Sequence, residues 1–303
     1  MARPSLAHKF AGALSVNRTA YLLLLPSVCV FAVLVIVPLA GTIAGAFSHA
    51  DAVGRIGRLG TLQNFVDLRH DPRLLRIVVQ TTVFVLLSVA VTVVVSFPLA
   101  LVLNLRFPGV TLAKALLLLP WAAPLAISAM CWRWIFHDQL GALNHFLHLT
   151  GITDANIVWL SKAWLAFACV VFVEVWSSIP FMTITLLAGL QGIPPHIYDA
   201  ARVDGASPWQ EFWAMTVPQM KNVLVIVSLL SVIWAFRSFT IIWTMTQGNP
   251  FFRTDISVTY LYKLAFRMAS FGEGYALAFL TFIVLSLFSL LYLKVLRHRE
   301  PGQ

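Results

Sequence analysis

Residues 193–218 read Ile193-Pro194-Pro195-His196-Ile197-Tyr198-Asp199-Ala200-Ala201-Arg202-Val203-Asp204-Gly205-Ala206-Ser207-Pro208-Trp209-Gln210-Glu211-Phe212-Trp213-Ala214-Met215-Thr216-Val217-Pro218, the longest polar interruption in the second half of the chain. The local chemistry predicts a helix, a tight turn and a second helix. Pro195 suits a first helical position, because its missing N–H is one that a helix start leaves unpaired. Asp199 and Arg202 are three apart and can pair on one face. Ala200 and Ala201 offer a slim surface able to enter a cleft. Gly205 lets the chain turn without a steric penalty. Ser207 is the expected N-cap of the second helix, with Pro208 at its first position and Gln210 completing a capping box.

On either side of this hairpin the chain is overwhelmingly apolar. It has 303 residues, 59% of them hydrophobic and 11% charged, and a mean hydropathy of +0.85. A soluble domain carries about 25% charged residues, so the composition is that of a polytopic membrane protein. The net charge of +9 raises nucleic acid as a partner. The basic residues, however, are scattered through connecting segments and tails, and no nucleic-acid-binding signature accompanies them. Cys29, Cys131 and Cys169 lie in or beside apolar runs without metal-type spacing, and read as small packing residues. Ala44-Gly45-Ala46 could pass for a signal-peptide cleavage site. The run Tyr21–Phe47 is too long for a signal segment, however, and reads as a retained first helix.

A membrane-spanning helix needs about 20 mostly apolar residues. Six stretches qualify: Tyr21–Phe47, Ile77–Leu103, Leu112–Ile135, Ala163–Leu190, Val223–Met245 and Tyr275–Leu296. An even number puts both termini on the side of the 193–218 loop. The domain reading is a tail over 1–20, a membrane domain over 21–296 and a second tail over 297–303. Basic residues are nearly balanced between the two sets of loops, so the positive-inside rule is only a weak check on orientation. Pro26, Pro38, Pro98, Pro120, Pro124 and Pro180 punctuate the spans, and each removes a backbone hydrogen bond. No internal repeat or large soluble domain is visible.

The 193–218 stretch resembles the cytoplasmic "EAA" loop of bacterial ABC-importer permeases. Ala200, Ala201, Asp204, Gly205, Ala206, Phe212 and Pro218 occupy the positions of that motif, and Asp199 stands where the family has Glu. Elsewhere the likeness narrows to carbohydrate-type permeases. Asn64-Phe65 and Asp71-Pro72 precede the second span. Trp132, Phe136, Gly141 and Asn144 follow a W-x-x-x-F…G-x-x-N pattern. Val175-Trp176, Pro180-Phe181 and Leu187-Ala188-Gly189-Leu190-Gln191-Gly192-Ile193-Pro194 mark the fourth span. Thr246-Gln247-Gly248-Asn249-Pro250 resembles T-x-G-G-P, with Asn249 in place of the second Gly. Tyr262, Ala265-Phe266 and Gly274-Tyr275-Ala276 follow. The resemblance implies an all-α fold of six transmembrane helices, the type I ABC importer permease fold, with both termini cytoplasmic, in a bacterial cytoplasmic membrane. It implies that Tyr198, Asp199, Ala200, Ala201, Arg202, Asp204, Gly205 and Ala206 form the element gripped by an ATPase. It also implies a second homologous permease, two ATP-binding subunits that use ATP and Mg, and an extracytoplasmic solute-binding protein, besides the surrounding membrane lipid.

Two charged residues sit at membrane depth, Glu174 in the fourth span and Arg237 in the fifth. Such residues are costly in lipid and face a cavity or a partner. They are expected to line the substrate pathway or to pair with each other. Trp176, Phe181, Trp234, Phe239 and Trp243 place aromatic rings near them, suited to the C–H faces of sugars, and Ser238 and Thr240 add hydroxyls. For any one of these rings, facing lipid or packing in the core is the simpler reading. Arg133, near a span end, is expected to snorkel outward. His145 and His148 are three apart in an outer segment and read as an exposed helical pair. No lysine follows a glycine, so there is no phosphate-cradling Walker loop, and no catalytic constellation, metal site or bound cofactor is expected in this chain. The expected function is import of a mono- or oligosaccharide by ATP-driven alternating access. Glycerol phosphate or a glycerophosphodiester is the alternative cargo, favoured by Arg237. An ion-coupled secondary transporter would be expected to show paired inverted repeats, and none is seen.

Overall fold

The computed structural model describes residues 18–297. The rest of the two terminal tails, including Arg3, Lys9 and Arg299, lies outside the described residues. Helices dominate. The first span is α1 (Arg18–Phe31), a π-helical segment (Ala32–Ile36) and α2 (Val37–Ala46). The second and fourth are the long helices α4 (Leu74–Asn104) and α8 (Ala163–Gln191), and the last is α14 (Phe271–Arg297). Between them lie the short helices α3 (Gln63–His70), α5 (Val110–Ala122), α6 (Leu125–Ile135) and α7 (Ala142–Leu149). The all-α expectation needs one addition. Ser48–Ala50 and Ile56–Leu59 pair as an antiparallel hairpin, β1 and β2, whose turn is held by Asp51 Oδ1 accepting from the amides of Val53 and Arg55.

Two of the expected spans are broken. Leu112–Ile135 is not one helix: α5 and α6 meet at a bend of 92°. Pro124 explains the position, since the residue before a proline is pushed out of the helical region, and Ala123 has ψ 141°. The fifth span is displaced towards the N-terminus. It runs continuously from Pro208 to Phe236, as α10 (Pro208–Gln210), a π-helical segment (Glu211–Thr216) and α11 (Val217–Phe236). It stops at Arg237 and Ser238, and α12 (Phe239–Met245) starts afresh. The second half of the 193–218 hairpin is therefore the start of the span itself. Both π-helical segments lie just before a proline, Pro38 and Pro218. Proline crowds the preceding turn, and Val37 and Val217 bond five residues back, to Ala32 and Phe212.

In hydrocarbon, apolar surface gains nothing by turning away from lipid. Helices are held instead by close packing and polar contacts. The first span is accordingly buried nowhere along its apolar window, and Leu22, Leu23 and Leu34 are exposed. Cys29 and Cys131 are exposed too, and of the three cysteines Cys169 alone is buried as expected. The core is the pair α4–α8, the most extensive helix contact; Thr81, Ser88, Thr92 and Ser96 are buried along α4, and Ser96 Oγ donates to Ile179 O of α8 at 3.4 Å. Gly189 lets α8 approach α11: a Cβ there would meet Met220 and Val223 at 2.9 Å.

The opposite end is tied by polar groups. In the segment leading to α13 (Ser257–Phe266), Asp255 is fully buried and pairs with Lys263 Nζ at 2.6 Å. Burial pushes the Asp255 carboxyl above its ordinary range, while Lys263 pulls it back. Gln80 Nε2 donates to the carbonyls of Phe252 and Asp255, both at 2.9 Å, and the Tyr260 hydroxyl donates to Asp71. These contacts join α4, α13 and the loop before it into one block.

Candidate functional site

Both helix breaks open onto the same space. A cavity of about 340 Å³ is lined by Pro120, Trp121, Ala123 and Leu125 at the first break. Trp234, Arg237, Ser238 and Thr240 line it at the second, and Glu174, Ser177 and Ser178 of α8 lie between. Interrupted helices leave backbone groups free, and such backbone is tolerated at membrane depth where it borders a cavity. Glu174 is 7% exposed. Its Oε2 accepts from the Ser238 hydroxyl at 2.5 Å, which ties α8 to the second break. Arg237 is exposed, and among the described residues it makes no ion pair. The wall thus offers two indole rings, several hydroxyls and an uncommitted guanidinium.

The 193–218 hairpin forms as its chemistry dictates. Helix α9 covers Pro195–Val203, with Pro195 in its first turn. Gly205 adopts φ +80°, the left-handed region that glycine enters freely. Its N–H donates to Arg202 O at 3.0 Å. Ser207 N donates to Gln210 Oε1 at 2.8 Å, and Gln210 N donates to Ser207 Oγ at 3.4 Å, closing the capping box. Arg202 lies 3.8 Å from Asp199 and, more closely, 3.0 Å from Glu211. The Tyr198 hydroxyl bonds Thr216 Oγ1 at 3.1 Å. The outward face holds Asp199, Ala200, Asp204 and Val203, the last 87% exposed.

Residues 69–300 match the family of binding-protein-dependent transport system inner membrane components. The chain belongs to that family. A probable ABC transporter permease protein of Brucella abortus is 37% identical over 94% of this chain and 99% of its own length. The trehalose/maltose transport system permease protein of Thermococcus litoralis is 35% identical over 92% of this chain and 94% of its own. A solved bacterial ABC transporter involved in the import of alginate shares the fold, with a TM-score of 0.84 at 20% identity, over 96% of this chain and 99% of that one. A second, of an alginate ABC transporter with an alginate pentasaccharide-bound periplasmic protein, gives 0.82 at 20% identity, over 93% and 94%. The chain is a multi-pass ABC transporter permease.

Within this permease the expected pathway residues separate into groups. Glu174, Trp234, Arg237 and Thr240 line the cavity together. Phe181 lies behind it, packed on Trp234 at 4.7 Å and on Trp121 at 6.4 Å between centroids. Trp176 turns instead to Trp132 at 5.4 Å. Phe239 and Trp243 stack on each other at 5.3 Å, against Tyr262. Trp176, Phe239 and Trp243 are not in the cavity wall; of α12 only Thr240 reaches it. Glu174 and Arg237 form no ion pair: Ser238 takes the carboxyl. Ala201 also departs from expectation. It is 3% exposed and packs into this chain, so Ala200 alone of the two alanines is free to meet a partner. Arg133 Nη1 reaches Thr244 O at 3.4 Å. His145 and His148 are exposed on α7. Sequence reasoning missed Trp121, Ser177 and Ser178. The visible signal was Pro120 and Pro124, two prolines four residues apart flanking a tryptophan within one apolar run.

Proposed function

We propose that this permease is one membrane-spanning subunit of an importer for a sugar or oligosaccharide, and that the cavity between the two helix breaks lies on the solute path. The supporting observation is its wall. Trp121 and Trp234 give flat apolar faces, and Ser177, Ser178 and Thr240 give hydroxyls. That is the combination sugars need: apolar C–H faces against rings, and hydroxyls against hydrogen-bonding groups. The Thermococcus relative, named for trehalose and maltose, supports the same cargo class. In this reading the chain sits in a bacterial cytoplasmic membrane beside a second homologous permease, with the 193–218 hairpin and both termini cytoplasmic. Two ATP-binding subunits hold ATP and Mg and grip α9. Closure of those subunits draws the hairpins together, the spans rock outward, and an extracytoplasmic solute-binding protein delivers the cargo.

The uncommitted Arg237 supports a second cargo, a phosphate-bearing solute such as glycerol phosphate or a glycerophosphodiester, since guanidinium grips phosphate by two charge-assisted hydrogen bonds. One experiment separates the two. The complex, purified with its partners and placed in proteoliposomes with the cognate binding protein, is assayed for uptake of labelled maltose, trehalose and glycerol 3-phosphate. The sugar reading expects uptake of a sugar and only a modest loss in Arg237→Ala. The phosphate reading expects glycerol 3-phosphate uptake that Arg237→Ala lowers by roughly tenfold or more, the scale of a charge-assisted hydrogen bond. Uptake that needs neither ATP nor the binding protein would sink both.

A further inference from the structure

A second cavity, about 750 Å³, lies at the helix ends beside α9 and shares no lining residue with the first. Its wall is built where three spans end or begin together: Asn104 closes α4, Val110 opens α5 and Gln191 closes α8. Pro195 and Tyr198 of α9 form its floor. Four polar side chains line it, Asn104, Arg106, Lys114 and Gln191, and among the described residues none of them has a hydrogen-bond or ion-pair partner. The remaining wall is apolar, from leucines, Ile193, Phe107 and Val110. Two cations and two amides without protein partners, all but Lys114 exposed, lie at the ends of membrane spans beside an apolar wall and suit one occupant in particular. That is a phosphate with acyl chains below it.

We propose that this cavity holds the headgroup of an anionic phospholipid, with Arg106 and Lys114 on the phosphate and Asn104 and Gln191 on the polar headgroup. Basic pockets between spans at the membrane surface bind anionic headgroups in this way, and each Lys or Arg near the surface favours an anionic lipid about fivefold. The lipid lies against Tyr198, whose hydroxyl ties α9 to Thr216 of the fifth span. A seated headgroup therefore steadies the hairpin, and lipid composition sets how firmly the hairpin follows its span. The proposal does not depend on which solute is carried.

The test uses the whole complex, purified with its partners and exchanged into nanodiscs of phosphatidylcholine with a minor fraction of phosphatidylglycerol. Lipid retained through release into detergent is read by native mass spectrometry. The unaltered protein is expected to retain phosphatidylglycerol in preference to phosphatidylcholine. The double variant Arg106→Gln with Lys114→Gln should lose that preference by roughly 25-fold, fivefold for each cation. The charge-keeping pair Arg106→Lys with Lys114→Arg should hold it, which shows that charge and not disturbed folding is responsible. Equal retention of phosphatidylglycerol in the Gln pair would overturn the proposal. Inorganic phosphate at millimolar level should leave the retained lipid in place. Its displacement would assign the cavity to a soluble anion and overturn the lipid source. Loss of the ATP-binding subunits from the Gln pair during purification would assign the surface to that contact, and would also overturn it.

Discussion

Ser238 holds a buried carboxyl with one short hydrogen bond, and its effect on stability depends on which partner is altered. In Ser238→Ala the Glu174 carboxyl stays buried without its donor, and an unsatisfied buried group costs about 1–3 kcal/mol. In Glu174→Gln the amide oxygen still accepts from Ser238, so the loss is expected to be smaller. Thermal unfolding of the purified complex should rank Ser238→Ala below Glu174→Gln. The reverse order would remove Ser238 as the partner. Glu174 and Arg237 form no ion pair, so Arg237→Ala leaves the carboxyl its Ser238 donor and should lower thermal stability less than Ser238→Ala does. The two alanines of α9 also differ. Ala201→Trp has no room, since Ala201 is 3% exposed, and should fail to assemble. Ala200→Trp stands on the free face. It should assemble and insert normally, yet lower solute-stimulated ATPase activity of the complex. Normal coupling in Ala200→Trp would mean that this face is not the docking surface.

At the scale of elements, the third span decides the cavity. Pro124 pushes Ala123 out of helical geometry, and the 92° bend between α5 and α6 follows. Pro124→Ala restores an N–H and releases Ala123 from that restriction. The apolar sequence on both sides then favours one continuous helix, as hydrophobicity alone predicts. We expect normal insertion, a narrowed cavity and uptake reduced by roughly an order of magnitude, a barrier change of only about 1.4 kcal/mol. Unaltered uptake would show that the break does not shape the path. The fifth span illustrates the same limit from the other side. Its apolar run crosses Arg237 and Ser238, yet the helix stops there and Glu174 takes the Ser238 hydroxyl. The capping box at Ser207 and Gln210, by contrast, was legible in the sequence because every group in it is within three residues.

At the scale of the whole molecule, orientation is open to direct labelling. A membrane-impermeant thiol reagent should reach a cysteine at Arg58 or Phe251 from outside, both being exposed. It should reach one at His196 only after the membrane is opened. Cys29 and Cys131 are exposed and need replacing first. Gly248 is a poor site for the label, since any Cβ there would overlap Asp255. The opposite labelling pattern would invert the proposed topology. By itself the sequence determined the membrane class, four of the six expected spans and the turn chemistry of the hairpin. Those follow from composition and from neighbours a few residues apart, which no distant contact overrides. Its motifs also pointed to the family. Only the tertiary structure decided where two spans break, which aromatic rings share a cavity with Glu174 and Arg237, and which alanine of α9 faces outward. Each of these is a choice between nearly equal local states. A proline bend, a buried carboxyl that needs a donor, or the space beside a neighbouring helix settles it, and the Glu174 carboxyl and its Ser238 donor are 64 residues apart along the chain.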